Sequence, residues 1–252
     1  MTPLKTIVGF LDNELKIKNY QDASHNGLQV ENSGRVRKIC CGVDGSLQFF
    51  EEARKRGADM LICHHGISWG DSLKRIAELN YGRLAFLIKN DMALYACHIP
   101  LDAHPRHGNN IQICKALKLR RIRKFGAYHG VEIGFAGELP QPVAYADFKR
   151  RVASIVGNTI RSMDFGRRMV KTVAVVSGGA AAEIAEAGQK DVDVYVTGES
   201  QLFAYNLAQE YRINAVFGGH YATEKFGVIA LAKLLKRKFG LKTEFVDLKI
   251  PF

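Results

Sequence analysis

Short β-rich runs alternate with helical stretches along most of this chain, and that alternation constrains the fold more than any other feature. Strands are predicted at residues 36–43, 59–63, 92–98, 131–137, 159–164, 172–177, 192–197, 214–217 and 242–247. Helices are predicted between most of them, at 46–56, 76–89, 144–156, 201–210 and 222–238. A further helix follows Thr2-Pro3, because Leu4, Ile7, Val8, Leu11 and Leu15 share one helical face. Repeated β-helix-β units imply an α/β class with mostly parallel sheets flanked by helices.

No Pro-, Gly- or Ser-rich linker divides the 252 residues. The charged run from Arg120 to Gly126 and the turn near Gly198 are the candidate joins. They suggest two lobes: an outer one from residues 1–125 plus 198–252, and a middle one inserted at 126–197.

Composition excludes several classes. The apolar and charged fractions, 47% and 24%, are those of an ordinary globular chain. No apolar run is long enough for a membrane span and the first residues do not form a secretory signal, so the expected setting is cytoplasmic. Five cysteines, Cys40, Cys41, Cys63, Cys97 and Cys114, are odd in number and never spaced C-x-x-C. That pattern argues for free, mostly buried thiols and against a disulfide framework or zinc knuckle. A formal charge of +11 favours anionic partners, but the basic residues are dispersed, so nucleic acid is only weakly supported as a partner.

Chemistry-bearing residues gather where three strands end. One predicted strand runs into His64-His65-Gly66, a second into His98 and then Pro100-Leu101-Asp102-Ala103-His104, and a third into Gly218-Gly219-His220, with Glu224 four residues on. Open α/β sheets assemble their sites outside the carboxyl ends of strands, so the three segments are expected to converge. A helix beginning near His220 would place His220 and Glu224 on one face. Mixed imidazole and carboxylate donors suit zinc, iron or manganese better than calcium. Each residue has a plainer reading: strand-end histidines are often hydrogen-bonded core groups, and Glu224 would suit a helix N-terminus. Ser177-Gly178-Gly179 could be a tight packing turn or a phosphate cradle, Asn26-Gly27 reads as a turn, and Asp44 reads as a turn former at a strand end.

Taken in order, Asn26-Gly27-Leu28-Gln29-Val30-Glu31, His64-His65-Gly66, His98 to His104, Thr197-Gly198-Glu199 and Gly219 to Glu224 resemble the NIF-three-like family, the GTP cyclohydrolase I type II homologues. The resemblance implies a two-lobed α/β subunit with a dinuclear metal centre between the lobes, assembled as a homohexameric ring. It assigns His65 and Asp102 to one divalent ion, His64 and His220 to the other, and Glu224 to both. His98 and His104 become orienting groups or proton carriers, with His98 the candidate catalytic residue. The implied activity is metal-dependent hydrolysis of a small molecule such as a nucleotide, by opening the GTP imidazole ring with release of formate. The alternative is a metal-binding regulatory or scaffold ring that acts through protein or nucleic-acid partners.

Overall fold

The elements form where the apolar spacing asks for them. In the computed structural model, which describes residues 1–157 and 159–251, they run in chain order as follows. The first half holds β1 (Thr2–Pro3), α1 (Leu4–Leu15), β2 (Gly27–Val30), β3 (Arg35–Val36), β4 (Lys38–Asp44), α2 (Leu47–Lys55), β5 (Met60–His65), α3 (Glu78–Lys89), β6 (Ala93–Ala96) and α4 (Ile99–Asp102). The second holds α5 (Asn109–Ala116), β7 (Arg120–Tyr128), β8 (Val131–Ala144), α6 (Tyr145–Val156), β9 (Arg161–Asp164), β10 (Met169–Val175), α7 (Ile184–Gln189), β11 (Val194–Thr197), α8 (Leu202–Glu210), β12 (Asn214–Phe217), α9 (His220–Phe239) and β13 (Lys242–Phe245). They make two compact units: Met1–Leu101 with Gly227–Lys249, and Asp102–Phe226 with residues 250–251.

The first unit is built on a five-stranded sheet in the order β13-β4-β5-β6-β2, parallel except where β2 runs against β6. Alternate residues of each strand face opposite sides. Ile39, Cys41, Met60, Ile62 and Tyr95 pack with Leu4, Ile7, Leu11 and Leu15 of α1 and with Val228, Leu231 and Leu235 of α9. Cys40, Leu61, Cys63 and Leu94 pack on the other side with Phe49, Phe50 and Ala53 of α2. Each fully buried leucine or isoleucine contributes about 2 kcal/mol relative to exposure, so the α1 face alone is a substantial part of the stability. Ser46 caps α2 by accepting from Phe49 N–H at 3.2 Å.

The second unit carries a six-stranded sheet ordered β7-β8-β10-β11-β12-β9. Only β10-β11 and β11-β12 pair in parallel; the pairings β7-β8, β8-β10 and β12-β9 are antiparallel. The parallel character expected from the sequence therefore belongs to the first sheet, and the second is mixed. Phe148, Val152 and Val156 of α6 bury one side of this sheet against Val173, Val175, Val194, Val196 and Val216.

The expected lobe joins differ from the observed divisions at Leu101/Asp102 and Phe226/Gly227. Arg120 to Gly126 is no linker: it lies in β7, an edge strand whose charged side chains are exposed and whose backbone pairs with β8. Edge strands tolerate such charge because one side of the ladder faces water. Thr197 likewise ends β11 in register with Phe217 of β12, so no join occurs there. All five cysteines are free and buried, as expected. No helix among the described residues is long and apolar enough to cross a membrane.

Candidate functional site

In the first unit the parallel ladder between β4 and β5 sets Asp44 opposite His65. Their side chains meet, with His65 Nδ1 2.7 Å from Asp44 Oδ1. His64 Nδ1 lies 2.8 Å from the Cys97 carbonyl oxygen, and His98 Nδ1 lies 2.9 Å from Asp22 Oδ1. A carbonyl or carboxylate only accepts, so each Nδ1 carries a proton, and in the neutral ring Nε2 is then the atom with the lone pair. Rings held this way are preset as metal ligands or proton acceptors. One ligand atom from each of His64, His65 and His98 falls within 4.8 Å of the others.

The loops around these rings are held by the polar residues of the Asn26 to Glu31 segment. Asn26 Oδ1 accepts from the His98 backbone N–H at 2.7 Å, and Gln29 Oε1 accepts from Ile67 N–H at 2.8 Å. Gly66 has no room for a side chain, since a Cβ there would stand 2.3 Å from Gln29 Oε1. Burial works against the Asp22 charge, but His98, Asn26 and the Ser24 N–H outweigh it and hold the carboxyl down to about 2. Trp69, the chain's single tryptophan, donates from Nε1 to the Gly66 carbonyl at 2.7 Å, and its ring centroid lies 5.0 Å from that of His98.

In the second unit, His220 opens α9 and Glu224 follows one turn later, with His220 Nε2 3.1 Å from Glu224 Oε2. Glu199, just after β11, accepts from His220 Nδ1 at 2.7 Å. Burial works against the His220 charge, yet the two carboxylates prevail and raise its pKa to about 9. Two carboxylates about one imidazole supply the negative field that a cation site requires. Asp102 Oδ1 accepts from Asn109 Nδ2 at 2.8 Å and Ser177 Oγ at 3.0 Å, which fixes the carboxylate plane.

Gly178 explains the glycine turn after β10. Its φ is +70°, and a Cβ would fall 2.1 Å from Glu224 Oε1 and 3.2 Å from His220 Nε2. Its N–H is donated to Thr223 Oγ1 at 3.1 Å and that of Ser177 to Asn110 Oδ1 at 2.6 Å. Those amides are occupied, so close packing, and not phosphate cradling, accounts for this turn. His104 Nδ1 accepts the backbone N–H groups of Arg106 and His107 at 3.2 and 3.0 Å. That ring shapes the turn before α5.

Within the first unit the structure thus groups His64, His65 and His98, and within the second it groups His220 with Glu224. The orienting roles of Asp44, Asp22 and Glu199 were missed in the sequence. Each lies at a strand end or loop within reach of a histidine only through pairing of distant segments. Asp44, following the apolar run of β4, carried a readable signal, a carboxylate at the same strand edge as the histidines, and Glu199 stood in one of the family-like segments.

Mixed α/β units whose strand ends carry oriented histidines and carboxylates define the class to which this chain conforms. It belongs to the DUF34/NIF3 (NGG1p interacting factor 3) family, whose model matches residues 2–250. The chain is 44% identical over 242 residues to the GTP cyclohydrolase 1 type 2 homolog of Pyrococcus abyssi, covering 96% of each. It is 39% identical over 245 residues to that of Archaeoglobus fulgidus, covering 97% of this chain and 98% of the relative. Among solved structures it is similar to protein ybgI, described as of unknown function (TM-score 0.92, 32% identity, all of both chains). It is also similar to TTHA1606 from Thermus thermophilus (TM-score 0.90, 34% identity, all of both chains).

Proposed function

We propose that this protein is a hydrolase dependent on two divalent cations, acting on a nucleotide or a related heterocycle. The observation that carries the reading is the common orientation of His64, His65 and His220: each gives its Nδ1 proton to an oxygen acceptor, which directs Nε2 toward ligation. By the family resemblance, His65 and Asp102 would hold one ion and His64 and His220 the other, with Glu224 a ligand of both. Nitrogen and carboxylate donors in this mixture fit zinc, iron or manganese. Bound ions would supply Lewis acidity and acidify water near neutral pH.

The chain's own residues supply the rest. Asp44 and Glu199 hold two of the imidazoles in the required tautomer, and the Cys97 carbonyl holds the third. His98, kept at Nδ1 by Asp22, presents Nε2 to take a proton from the attacking water and pass it to a departing nitrogen. The relatives' name supports GTP as the substrate; the reaction proposed on it is opening of the imidazole ring with release of formate. The test is to incubate metal-loaded protein with GTP and follow formate; turnover that persists in His64→Ala and Glu224→Ala proteins would sink the reading.

A homo-oligomer, hexameric by family resemblance, belongs to the same reading. Its support is the apolar surface on α8, where Leu202 is 89% exposed and Phe203 and Tyr205 are 44% and 47% exposed. Light scattering giving a monomer mass would remove it.

A further inference from the structure

The second unit contains a cavity of about 310 Å³ lined by Thr159, Arg161, Glu199, Ser200, Phe217 and Gly219. It lies at the carboxyl ends of β11 and β12, because Thr197 and Phe217 end those strands in register and Arg161 opens the antiparallel β9 opposite Phe217. Glu199, one of its walls, is the residue that holds His220. The cavity therefore adjoins one of the candidate metal ligands through a single shared side chain.

The Arg161 guanidinium enters no ion pair or side-chain hydrogen bond among the described residues. Arg167, further along the same segment, is by contrast engaged by Asp193 at 2.6 Å and Asp191 at 2.9 Å. Glu199 is the acid nearest at hand in the cavity wall, and it is committed to His220 and forms no ion pair with Arg161. An arginine with no counter-ion among the described residues, sharing its cavity with Ser200 and paired across the ladder with the buried Phe217, offers planar, bidentate recognition of an oxyanion. Glu199 would repel that oxyanion, which confines it to the Arg161 and Ser200 side.

We propose that this cavity receives the phosphate or polyphosphate group of the substrate, with Arg161 as its bidentate partner. The inference rests on the hydrolase reading for the identity of the rest of the ligand. An organic phosphate and inorganic polyphosphate share the chemistry, so the test separates them.

Binding of GTP, guanosine and inorganic pyrophosphate is measured by calorimetry with the protein as purified and with Arg161→Gln and Arg161→Lys variants, metal content being assayed in each. Arg161→Gln is expected to weaken GTP at least about tenfold, the scale of a lost charge-assisted bidentate pair, and to leave metal content and guanosine binding unchanged. Arg161→Lys is expected to retain part of the affinity. Pyrophosphate binding that falls in parallel identifies the phosphate chain alone as the recognised group; a fall for GTP only identifies the phosphate of the nucleotide. Equal GTP binding by wild type and Arg161→Gln, or no GTP binding by wild type, overturns the inference. GTP turnover with an unchanged KM in Arg161→Gln would overturn it while sparing the hydrolase reading. Arg161-dependent binding without turnover would do the reverse.

Discussion

Asp44 and His65 stand opposite each other on adjacent parallel strands, and their side chains close the gap with a 2.7 Å hydrogen bond from Nδ1 to Oδ1. The bond converts a position in a ladder into a chemical property of the imidazole. With Nδ1 protonated, Nε2 is the atom left to ligate. Replacing Asp44 by alanine should therefore lower divalent-metal affinity about 10- to 100-fold, the usual cost of losing such an orienting partner, whereas Asp44→Asn should lose less because its carbonyl oxygen still accepts. Titration with zinc in a competing chelator measures both.

Gly178 gives a sharper steric prediction, and Gly130 provides its control. Both have positive φ, +70° and +80°, but only at Gly178 would a Cβ meet Glu224 Oε1, while nothing lies within 4 Å at Gly130. Gly130→Ala should cost about 1 kcal/mol of stability through the left-handed backbone alone. Gly178→Ala should cost more and also reduce metal content. Thermal melts combined with metal analysis distinguish the two; equal behaviour would remove the close-approach explanation.

A stability prediction concerns Asp193. It accepts from the Lys171 and Thr172 backbone N–H groups at 2.8 Å each and from Arg167 at 2.6 Å. Burial opposes its charge, but the Thr172 N–H, Arg167 and the Lys171 N–H prevail and hold its carboxyl below the usual aspartate range. Because the folded pKa is depressed, this stabilisation is fully present above the unfolded value and fades as pH falls through the folded one. Asp193→Ala should cost about 2 kcal/mol at pH 7 by leaving two part-buried N–H donors and Arg167 without their acceptor, and the gap from wild type should narrow below about pH 4. Urea unfolding across that range checks it.

Trp69 provides an optical reporter. Its ring centroid lies 5.8 Å from that of His65 and 5.0 Å from that of His98. Adding manganese should quench its fluorescence in wild type and leave it unchanged in His65→Ala. A wild-type signal indifferent to the metal would count against ligation by His65.

The sequence made the strands and the histidines legible for one reason and hid their partners for another. Buried runs such as Met60 to Cys63 and Asn214 to Phe217 advertise themselves locally, and a polar residue at their ends is conspicuous. His220 opening α9 could likewise be anticipated, because Gly218-Gly219 and Glu224 frame it within seven residues. The partners depend on pairing across distance: Asp44 reaches His65 over 21 residues, Glu199 reaches His220 over 21, and Asp22 reaches His98 over 76. Register, not composition, decides such contacts. The mixed second sheet was obscured similarly, since the charged β7 looks like a boundary until β8 pairs with it. β2 hid behind Asn26-Gly27, where the turn residues drew attention from the four-residue strand that begins at Gly27.

Metal stoichiometry addresses the central claim most directly. Elemental analysis of the purified, metal-reconstituted wild type, His64→Ala and Glu224→Ala proteins should give close to two divalent ions per chain for wild type. It should give about one or fewer for His64→Ala and a loss of both for Glu224→Ala, with circular dichroism unchanged. Wild-type protein that holds no divalent ion, or a Glu224→Ala protein that keeps both, would contradict the dinuclear assignment.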